Sequence, residues 1–554
     1  MGTVTPAELP PTPNGNTLLV GGSVVTMNTD NALAEALTYN SEGEILAVGS
    51  EAEVSQAAGD GALRIELNGA QVLPGFHDVH LHAVEAGINE ARCLLSEFGT
   101  LNQYRSEIND CAADQQRSDW FIGAGVSMPD LLDRTERPID LLDELHPDKP
   151  ALVLDNLGHG AWANSMALEA VGFNSRMGNP NGGVIGRDSN GAPNGVVFEN
   201  AQQVLRTAAL PPSVENLEDN YQALLVAQET LLANGITSVS DAGGYWPRGH
   251  NEAWLRAEQE GTLKLRASNA LYVFPDRDTE QQISDIQQLM RSDANALVRF
   301  DQVKIYVDGI ISQGTASLLQ PYTQPPEIAD VSSNGFEYFS EEALNLYARR
   351  FDAMGLGLHF HATGDRGVRL ALNAIENAQN ANSSRSTRHR VTHLFLVDES
   401  DIPRFAELGV VADVQVTPSS TNAETIEFYR GLLGNRADSI SAANDLFEAN
   451  APMTVSSDWD ADQLSPLLKL SGLIGRESQG IVDAMAVLRM QTIESAILLG
   501  QETLTGSLEP GKRADLAIVD GNLLELTSAE IANSRVQATI FNGEAVYDPG
   551  NIFP

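Results

Sequence analysis

The sequence predicts an α/β protein in which a parallel sheet or barrel is combined with a small β-sandwich. Through most of the chain, apolar strand-like runs alternate with helical segments such as 340–354 and 367–380. This alternation is typical of repeated strand–helix units. Near both ends, by contrast, short strand-like runs are separated by glycine and asparagine turns, which is typical of an antiparallel sandwich.

The runs at the two ends are expected to pair into one sandwich. They cover 17–20, 23–27 and 44–48 on one side, and 516–519, 536–540 and 545–547 on the other. We place this discontinuous sandwich at 1–73 and 500–554, and the α/β part at 74–499.

The central part holds further candidate strands at 151–154, 235–241 and 410–416. Residues 88–200 are too many for one strand–helix unit, so we expect an insertion there, close to the functional site. We find no internal repeat.

The first candidate for chemistry is the pair His80 and His82, which follows the apolar run 71–73. Residues two apart on a strand point to the same face, so both imidazoles can enter one cavity. Two imidazoles on one face suit a borderline metal ion such as zinc. A single His-x-His pair is more often two histidines without a metal-binding role, and the later segments change that expectation.

Polar side chains recur at the ends of later strand-like runs. Each alone is weakly specific, because such residues are often caps or turn formers. Together they place Lys, His and Asp at successive strand ends, where barrel enzymes carry their chemistry; the residues are Lys304, His359 with His361, His393 and Asp458.

Lys304 lies in the apolar part of its strand, where an unpaired ammonium group is costly. One interpretation is a salt bridge to a carboxylate such as Asp308. The other is a lysine neutral enough to take up carbon dioxide and bridge two metals as a carbamate. The sequence leaves the two evenly balanced.

These segments resemble the amidohydrolase superfamily, and within it the YtcJ-like group, over nearly the whole chain. The first metal motif, Leu-Pro-Gly-Phe-x-Asp-x-His-x-His, stands at 73–82. The group's Lys-x-x-x-Asp-Gly stands at 304–309, with Gly-Thr-Ala at 314–316. The remaining matches are His-Ala-x-Gly-Asp-Arg at 361–366, Arg-His-Arg-x-x-His at 388–393 and Ser-Asp at 457–458.

Three segments outside the strand ends are also similar to the group. They are His-x-x-x-x-Asn-Ser-x-Ala-Leu at 159–168, the glycine-rich stretch 182–195 and the closing motif at 506–516, for which we expect a structural role. Four residues depart from the pattern: His77 for isoleucine or valine, Thr363 for isoleucine, Thr392 for glutamate and Trp459 for a small residue. Trp459 is expected to narrow the pocket.

The resemblance implies a (β/α)8 TIM-like barrel with a discontinuous β-sandwich, and a hydrolase that cleaves an amide-type C–N bond of a small molecule through a metal-activated hydroxide. His80 and His82 would hold one divalent metal and His361 and His393 a second, with Lys304 as a carbamate between them. Zinc is the expected metal, with one or two ions per chain.

The remaining roles concern the base and the residues around the metals. Asp458 would bind metal and act as the base. His159 and Trp162 would contact substrate, with a packing role equally open for them. Asp308 and Asp365 would orient the histidines, and His359 would either point to the opposite face of its strand or serve as a spare ligand.

Two rival functions remain open. One is a mononuclear deaminase or another hydrolase on the same barrel, in which Lys304 is a salt-bridged residue. The other is a catalytically silent binding protein. Every ligand position holds a competent residue, which counts against the second.

The composition restricts the partners. With 75 acidic and 34 basic residues the formal net charge is −41, which disfavours nucleic acid and anionic membranes. The charge suits a strongly solvated, salt-adapted surface, with steering of cationic substrates as the alternative. No apolar run approaches the ~20 residues of a membrane helix. A monomer and a homo-oligomer both stay open.

The compartment is open as well. No signal peptide is visible, so the chain is expected to be cytoplasmic or, if the polar start at 6–13 follows a removed leader, periplasmic or exported. Cys93 and Cys111 form one disulfide if the chain is exported, or two buried thiols if it is cytoplasmic.

Overall fold

The computed structural model describes residues 14–30, 32–91, 93–112, 119–132, 137–324, 328, 331–383, 388–475, 481 and 483–554. The proline-containing start at 6–13 lies outside the described residues.

Eight parallel strands form the central barrel, in chain order around its wall. Strand eight returns to strand one where the Asp458 amide donates to the His80 carbonyl, at 2.8 Å. The predicted fold class is thereby confirmed. The barrel strands one to eight are Phe76–Leu81, Ile236–Asp241, Arg266–Tyr272, Val298–Tyr306, Gly357–Ala362, Arg390–His393, Val411–Val414 and Met453–Val455.

Helices follow each stretch of the barrel wall, between successive strands and after the eighth strand. Those on the first half are Ala83–Ala91, Asn200–Ala209, Val214–Ala233, His250–Glu260 and Thr279–Leu289. Those on the second half are Glu341–Ala353, Asp365–Asn382, Ile402–Leu408, Ala423–Leu433, Ala443–Glu448, Pro466–Ile474, Ala484–Met490 and Ile493–Leu498. Several start at a side-chain cap, as where Ser340 accepts from the Ala343 amide. Three 3₁₀ turns complete this part, at Trp246–Arg248, Ile311–Gln313 and Gly434–Ser439.

Both ends of the chain build the sandwich. One sheet has the strand order Glu544–Tyr547, Val536–Phe541, Leu516–Val519, Gln71–Pro74, Ser23–Val25 and Leu33–Ala34. The other has the order Ile45–Gly49, Ala36–Tyr39, Thr17–Val20 and Leu63–Glu66. Buried residues of both sheets, including Leu19, Ile45, Val72 and Ile518, form one shared core. Helices Glu51–Ala58 and Ser528–Asn533 belong to the same two chain ends.

A buried ion pair joins the sandwich to the barrel. Arg266 Nε, at the start of barrel strand three, lies 2.7 Å from Asp515 Oδ2, in the closing motif. The other oxygen of Asp515 accepts from the Asn542 amide at 2.8 Å. The closing motif therefore contacts the amino-terminal end of a barrel strand, away from the carboxyl ends that carry the predicted ligands. Strand Gln71–Pro74 pairs within the sandwich, and Phe76 begins the barrel. The numerical boundaries at 73 and 500 stay a prediction.

The insertion between barrel strands one and two forms a third sheet. Its strand order is Gly183–Arg187, Pro193–Glu199, Gly160–Ala163, Ala151–Asp155, Phe121–Val126 and Cys93–Leu94. Helices Leu101–Ala112, Met128–Leu132, Pro138–Leu145 and Ser165–Ala170 accompany it. The candidate strand at 151–154 therefore belongs to this sheet and not to the barrel alternation in which the sequence placed it.

Cys93 and Cys111 form a disulfide that ties the edge strand of the insertion to its first helix. In the described part of the chain, none of the helices has the length and apolar character to cross a membrane.

Candidate metal centre

Four predicted ligands meet at the open end of the barrel. Asp458 Oδ1 lies 3.1 Å from His80 Nε2 and 3.4 Å from His82 Nε2. Asp458 Oδ2 lies 3.9 Å from His393 Nδ1. Donor atoms of His80, His393 and Asp458 all lie within 4.8 Å of one another. Imidazole nitrogens with one carboxylate oxygen are the donor set that zinc and similar ions prefer.

At these strand ends the backbone adopts conformations that residues other than glycine seldom occupy. Asp458, His393 and the following Leu394 have φ values of 59°, 84° and 51°. Each such residue costs roughly 1–3 kcal/mol and persists only where the surroundings impose it. Clustering of this kind at the strand ends accords with a functional site.

Two histidines keep a nitrogen lone pair free inside the barrel. His361 Nε2 donates to the Gly309 carbonyl at 3.2 Å, which leaves Nδ1 as the unprotonated nitrogen. His393 Nδ1 lies 3.1 Å from Gln415 Oε1, and the amide nitrogen of Gln415 donates to Asp413 and Ser456. Gln415 Oε1 therefore accepts, and His393 Nε2 is the free nitrogen. Neither free nitrogen has a hydrogen-bond partner among the described residues, and both are buried. The donor set therefore fits a metal ion.

Burial lowers the pKa of His80 and His361 well below the ordinary value and that of His393 to about 3. Neighbouring cationic groups act in the same direction. For Asp458 burial acts the other way, but His80 and His82 hold its pKa well below the usual range. The histidines are thus neutral and the aspartate is ionised, which is the state in which both bind metals.

His359 lies inside the barrel below these ligands, so the expectation that it points to the opposite face is wrong. Its Nε2 is 3.0 Å from His80 Nδ1 and 3.0 Å from Thr392 Oγ1. Its Nδ1 accepts from Arg390 at 2.7 Å. Because residues two apart share a face, His359 and His361 point the same way at different depths. With Nδ1 occupied by a guanidinium, His359 is no spare ligand.

Lys304 is fully buried beside His80. Its Nζ lies 3.3 Å from Nε2 and 3.4 Å from Nδ1 of that ring. No carboxylate of the described residues forms an ion pair with it, so the salt bridge considered from the sequence does not form. Burial lowers the pKa of Lys304 to about 7.

Asp308 and Asp365 position loops and do not contact the histidines, which corrects the predicted roles. Asp308 accepts from the backbone amides of Ser317, Thr363 and Gly364, at 2.9, 3.0 and 2.9 Å. Burial raises its pKa to about 8. Asp365 begins a helix and accepts from the Leu319 amide at 2.8 Å.

The partners that orient the histidines were missed in the sequence. Asp413, at 0% exposure, accepts from Thr392, Thr454, Ser456 and Gln415 at 2.8–3.2 Å. It therefore fixes the amide that orients His393. The available signal was an aspartate inside the apolar run 410–416, and Thr392 supplies a hydroxyl where the related motif has a glutamate.

A cavity of about 280 Å³ opens directly onto the ligands. His82, His393 and Asp458 line it, together with Trp459, at the position where narrowing was expected. The insertion supplies Asp155 and His159, and Tyr306 comes from the barrel. The Tyr306 ring stacks on His361 at 4.2 Å between centroids.

His159 reaches this cavity and is held by a residue that the sequence did not single out. Its Nδ1 lies 2.6 Å from Glu199 Oε2, a fully buried carboxylate. Glu199 also accepts from Tyr338 at 2.7 Å and Thr315 at 2.6 Å. Burial by itself lowers the pKa of His159, but the charge and hydrogen bond of Glu199, together with the charges of Asp155 and Asp458, raise the pKa above its ordinary value. An acid directly after the apolar run 196–198 was the only signal.

Trp162 packs in the core of the insertion and not in the cavity wall, which corrects its substrate-binding assignment. It is fully buried, its Nε1 donates to the Pro138 carbonyl at 2.7 Å, and its ring lies 5.9 Å from that of Tyr104. Of the two roles considered for it, the structure shows packing.

A barrel that brings histidines and an aspartate together at its strand ends is an arrangement found in metal-dependent barrel enzymes. The sequence profile of the amidohydrolase family matches residues 64–547. The chain belongs to this family, as its motifs predicted.

Relatives extend over almost the whole chain. A putative amidohydrolase, YtcJ of Bacillus subtilis, is 26% identical over 95% of this chain and 98% of its own length. The N-substituted formamide deformylase of Arthrobacter pascens is 26% identical, over 96% of this chain and 98% of its own. An uncharacterized metal-dependent hydrolase from Pyrococcus horikoshii has the same fold, with a TM-score of 0.71, 21% identity and coverage of 93% of this chain and 99% of that one.

Proposed function

We propose that this protein is a metal-dependent hydrolase of the amide-type C–N bond of a small molecule. The observation that carries the proposal is that donor atoms of His80, His393 and the ionised Asp458 lie within 4.8 Å of one another beside a cavity. His361 and His393 each add a buried imidazole nitrogen that has no hydrogen-bond partner among the described residues. The size of the cavity, near the lower end for ligand sites, favours a small substrate. The deformylase relative supports the amide class.

In this proposal His80 and His82 would hold one divalent metal, His361 Nδ1 and His393 Nε2 would hold a second, and Asp458 would contact the metal site. Zinc is the metal we expect from the nitrogen-rich donor set. When bound, the metal lowers the pKa of a bound water and polarises a carbonyl.

Lys304 is the residue proposed to bridge the two sites as a carbamate. Its buried Nζ has no carboxylate partner among the described residues and reaches the ring of His80. Addition of carbon dioxide to the neutral amine forms the N–C bond and releases one amine proton. The resulting carboxylate supplies two oxygen donors of the kind divalent metals bind.

Asp458 is proposed as the base. Its side chain is 20% exposed, toward the cavity, while its oxygens face the histidines. From this position it can take a proton from water and return it to the leaving amine. His159, held by Glu199, is proposed to donate a hydrogen bond to the carbonyl oxygen as negative charge develops there.

A mononuclear hydrolase or deaminase is the second candidate. It is favoured by one observation, namely that His80, His393 and Asp458 already form a compact three-residue set without Lys304. Metal analysis of the purified protein separates the two, since two ions per chain support the bridged site and one supports the mononuclear site.

The proposed function is tested by hydrolysis of a panel of small amides, before and after metal removal. We expect released amine or acid that disappears with a chelator and returns with zinc. Specific binding of panel compounds without hydrolysis at any metal loading would instead support a silent binding protein.

The disulfide supports the exported alternative for the compartment, because disulfides persist in oxidising compartments and are rare in the cytosol. We propose a periplasmic or extracellular location. Fractionation of the source cells, with thiol labelling of Cys93 and Cys111, tests it.

A further inference from the structure

A second charged cluster lies in the wall of the same cavity, outside the metal centre. Glu85 comes from helix Ala83–Ala91, Arg206 from helix Asn200–Ala209 and Arg248 from a 3₁₀ turn. Arg206 Nη2 forms an ion pair with Glu85 Oε2, and Arg248 Nη1 lies 2.8 Å from Glu85 Oε1. The three side chains are only 1–6% exposed. Two guanidinium groups therefore share one buried carboxylate.

In the buried part of this cluster, two guanidinium groups face one carboxylate. His250 Nε2 also faces Glu85, at 3.5 Å, and so adds no negative charge. Asp460 attracts Arg206 electrostatically, but it is partly exposed on the cavity wall, where water screens it. A buried guanidinium group that shares its buried carboxylate with a second guanidinium group is stabilised further when another anion binds.

Arg206 is the member of the pair that lines the cavity. Its Nε is buried and has no hydrogen-bond partner among the described residues, as is true of Arg248 Nε. A guanidinium group offers five N–H donors in a fixed fork, which matches a carboxylate. Burial lowers the pKa of Arg206 to about 10, and Arg248 adds to this, so the group stays charged at neutral pH. A charged guanidinium group thus borders the cavity, and one of its N–H donors has no hydrogen-bond partner among the described residues.

We propose that Arg206 binds a carboxylate of the substrate, so that the protein acts on small N-acyl amino acids or similar amides that carry an anionic group. The inference rests on the proposed function, because the same cavity is lined by Arg206 and by His82, His393 and Asp458. One small molecule can therefore place an amide at the metal centre and a carboxylate at Arg206. The net charge of −41 does not oppose this strongly, since exposed charges are screened beyond about 10 Å at moderate salt.

The test compares free acids with their carboxamides, which differ little in shape but lack the charge. N-formyl and N-acetyl derivatives of glycine and phenylalanine are used, each as acid and as carboxamide. The measured quantity is the ratio of kcat/KM for acid to that for carboxamide. In Arg206→Gln we expect this ratio to fall by about 10- to 100-fold, mainly through KM, as for loss of a charge-assisted hydrogen bond. Arg206→Lys should lose less.

Two further variants separate binding from folding. Glu85→Gln leaves the guanidinium pair without its shared anion, so the ratio should rise. A folding defect cannot move the ratio in opposite directions in the two variants. Arg105→Gln, which removes an exposed arginine of the insertion paired with Glu144, is the matched control and should leave the ratio unchanged.

Direct binding keeps this inference distinct from the proposed function. Titration calorimetry of acetylglycine and acetylglycinamide into the protein should show tighter binding of the acid, lost in Arg206→Gln. If no amide is hydrolysed but the acid still binds through Arg206, the function fails and the anion site stands. An acid-to-carboxamide ratio that is unchanged in Arg206→Gln, or lowered in Glu85→Gln, overturns the inference.

Discussion

The two walls of the cavity differ in how the chain builds them. The barrel wall carries the proposed metal ligands, each at the end of a strand, with its position set by parallel pairing. The opposite wall, called here the insertion wall, is built by the insertion and the helix Asn200–Ala209 that follows it. It carries His159, Glu199 and Arg206, which come from a loop, a strand end and a helix joined only by the tertiary structure. In the proposed function, the barrel wall would hold the metals and the base, whereas the insertion wall would bind and orient the substrate.

The largest expected effect is on the barrel wall. His393→Ala or His80→Ala should lower bound metal and reduce turnover to background, because each removes a nitrogen from the compact donor set. Metal content by mass spectrometry and hydrolysis of the amide panel measure this. Full metal content with full activity in both variants would show that the site is elsewhere.

Lys304→Ala tests the bridge between the two proposed metal positions. We expect loss of metal and activity, and partial recovery when a short carboxylic acid and metal are added together, since the acid can replace the carbamate oxygens. Carbon dioxide dependence of activity in the wild type is a second measurement. An unmodified ammonium on Lys304 in a metal-loaded crystal structure contradicts the bridge and favours the mononuclear site.

Asp458→Asn tests the base. The amide keeps the shape but cannot take a proton, so kcat should fall by roughly 10²-fold or more while substrate binding is mostly kept. The comparison is made at matched metal occupancy. A nearly unchanged kcat would transfer the base role to another group, of which His159 is the nearest candidate.

On the insertion wall, Glu199→Gln should act through His159 without touching the metal. We expect kcat/KM to fall by about 10- to 100-fold. This loss is no larger than the loss expected when a hydrogen-bond donor to the developing oxyanion is removed entirely. Metal content should stay at the wild-type value. Tyr338→Phe removes a different partner of Glu199 and is the control, so an equal loss in both variants would point to general loosening of the wall.

The smallest effect on catalysis is expected at the disulfide. Cys93→Ser with Cys111→Ser opens a loop with a sequence separation of 18, which should reduce the stability of the insertion by about 3 kcal/mol. Metal content should not change, because no ligand lies in that loop. Thermal unfolding and limited proteolysis are the measurements. Loss of metal in the double variant would show that the metal ligands on the barrel wall depend on the stability of the insertion.

The sequence by itself determined the barrel, the terminal sandwich and the family. The alternation of strands and helices and the turn residues predicted a parallel sheet or barrel and the sandwich, whereas the motifs predicted the family and, with it, the (β/α)8 barrel. His80, His82, His361, His393, Lys304 and Asp458 could be named for the same reason, since parallel strands bring their carboxyl ends to one rim. Their roles as ligands, bridge and base remain predictions that the variants above test.

Only the tertiary structure decided the second set of contacts. Glu199 lies 40 residues from His159 in the chain, and Glu85 lies 121 residues from Arg206. The periodicity of strands and helices predicts no contact between residues so far apart in the sequence. The same reason explains the corrections. Asp308 and Asp365 occupy motif positions and Trp162 lies at a variable position within a motif, yet packing and backbone amides take their side chains away from the proposed metal ligands. A motif fixes where a residue lies along a strand, whereas its partner is fixed by whichever distant element packs against that strand.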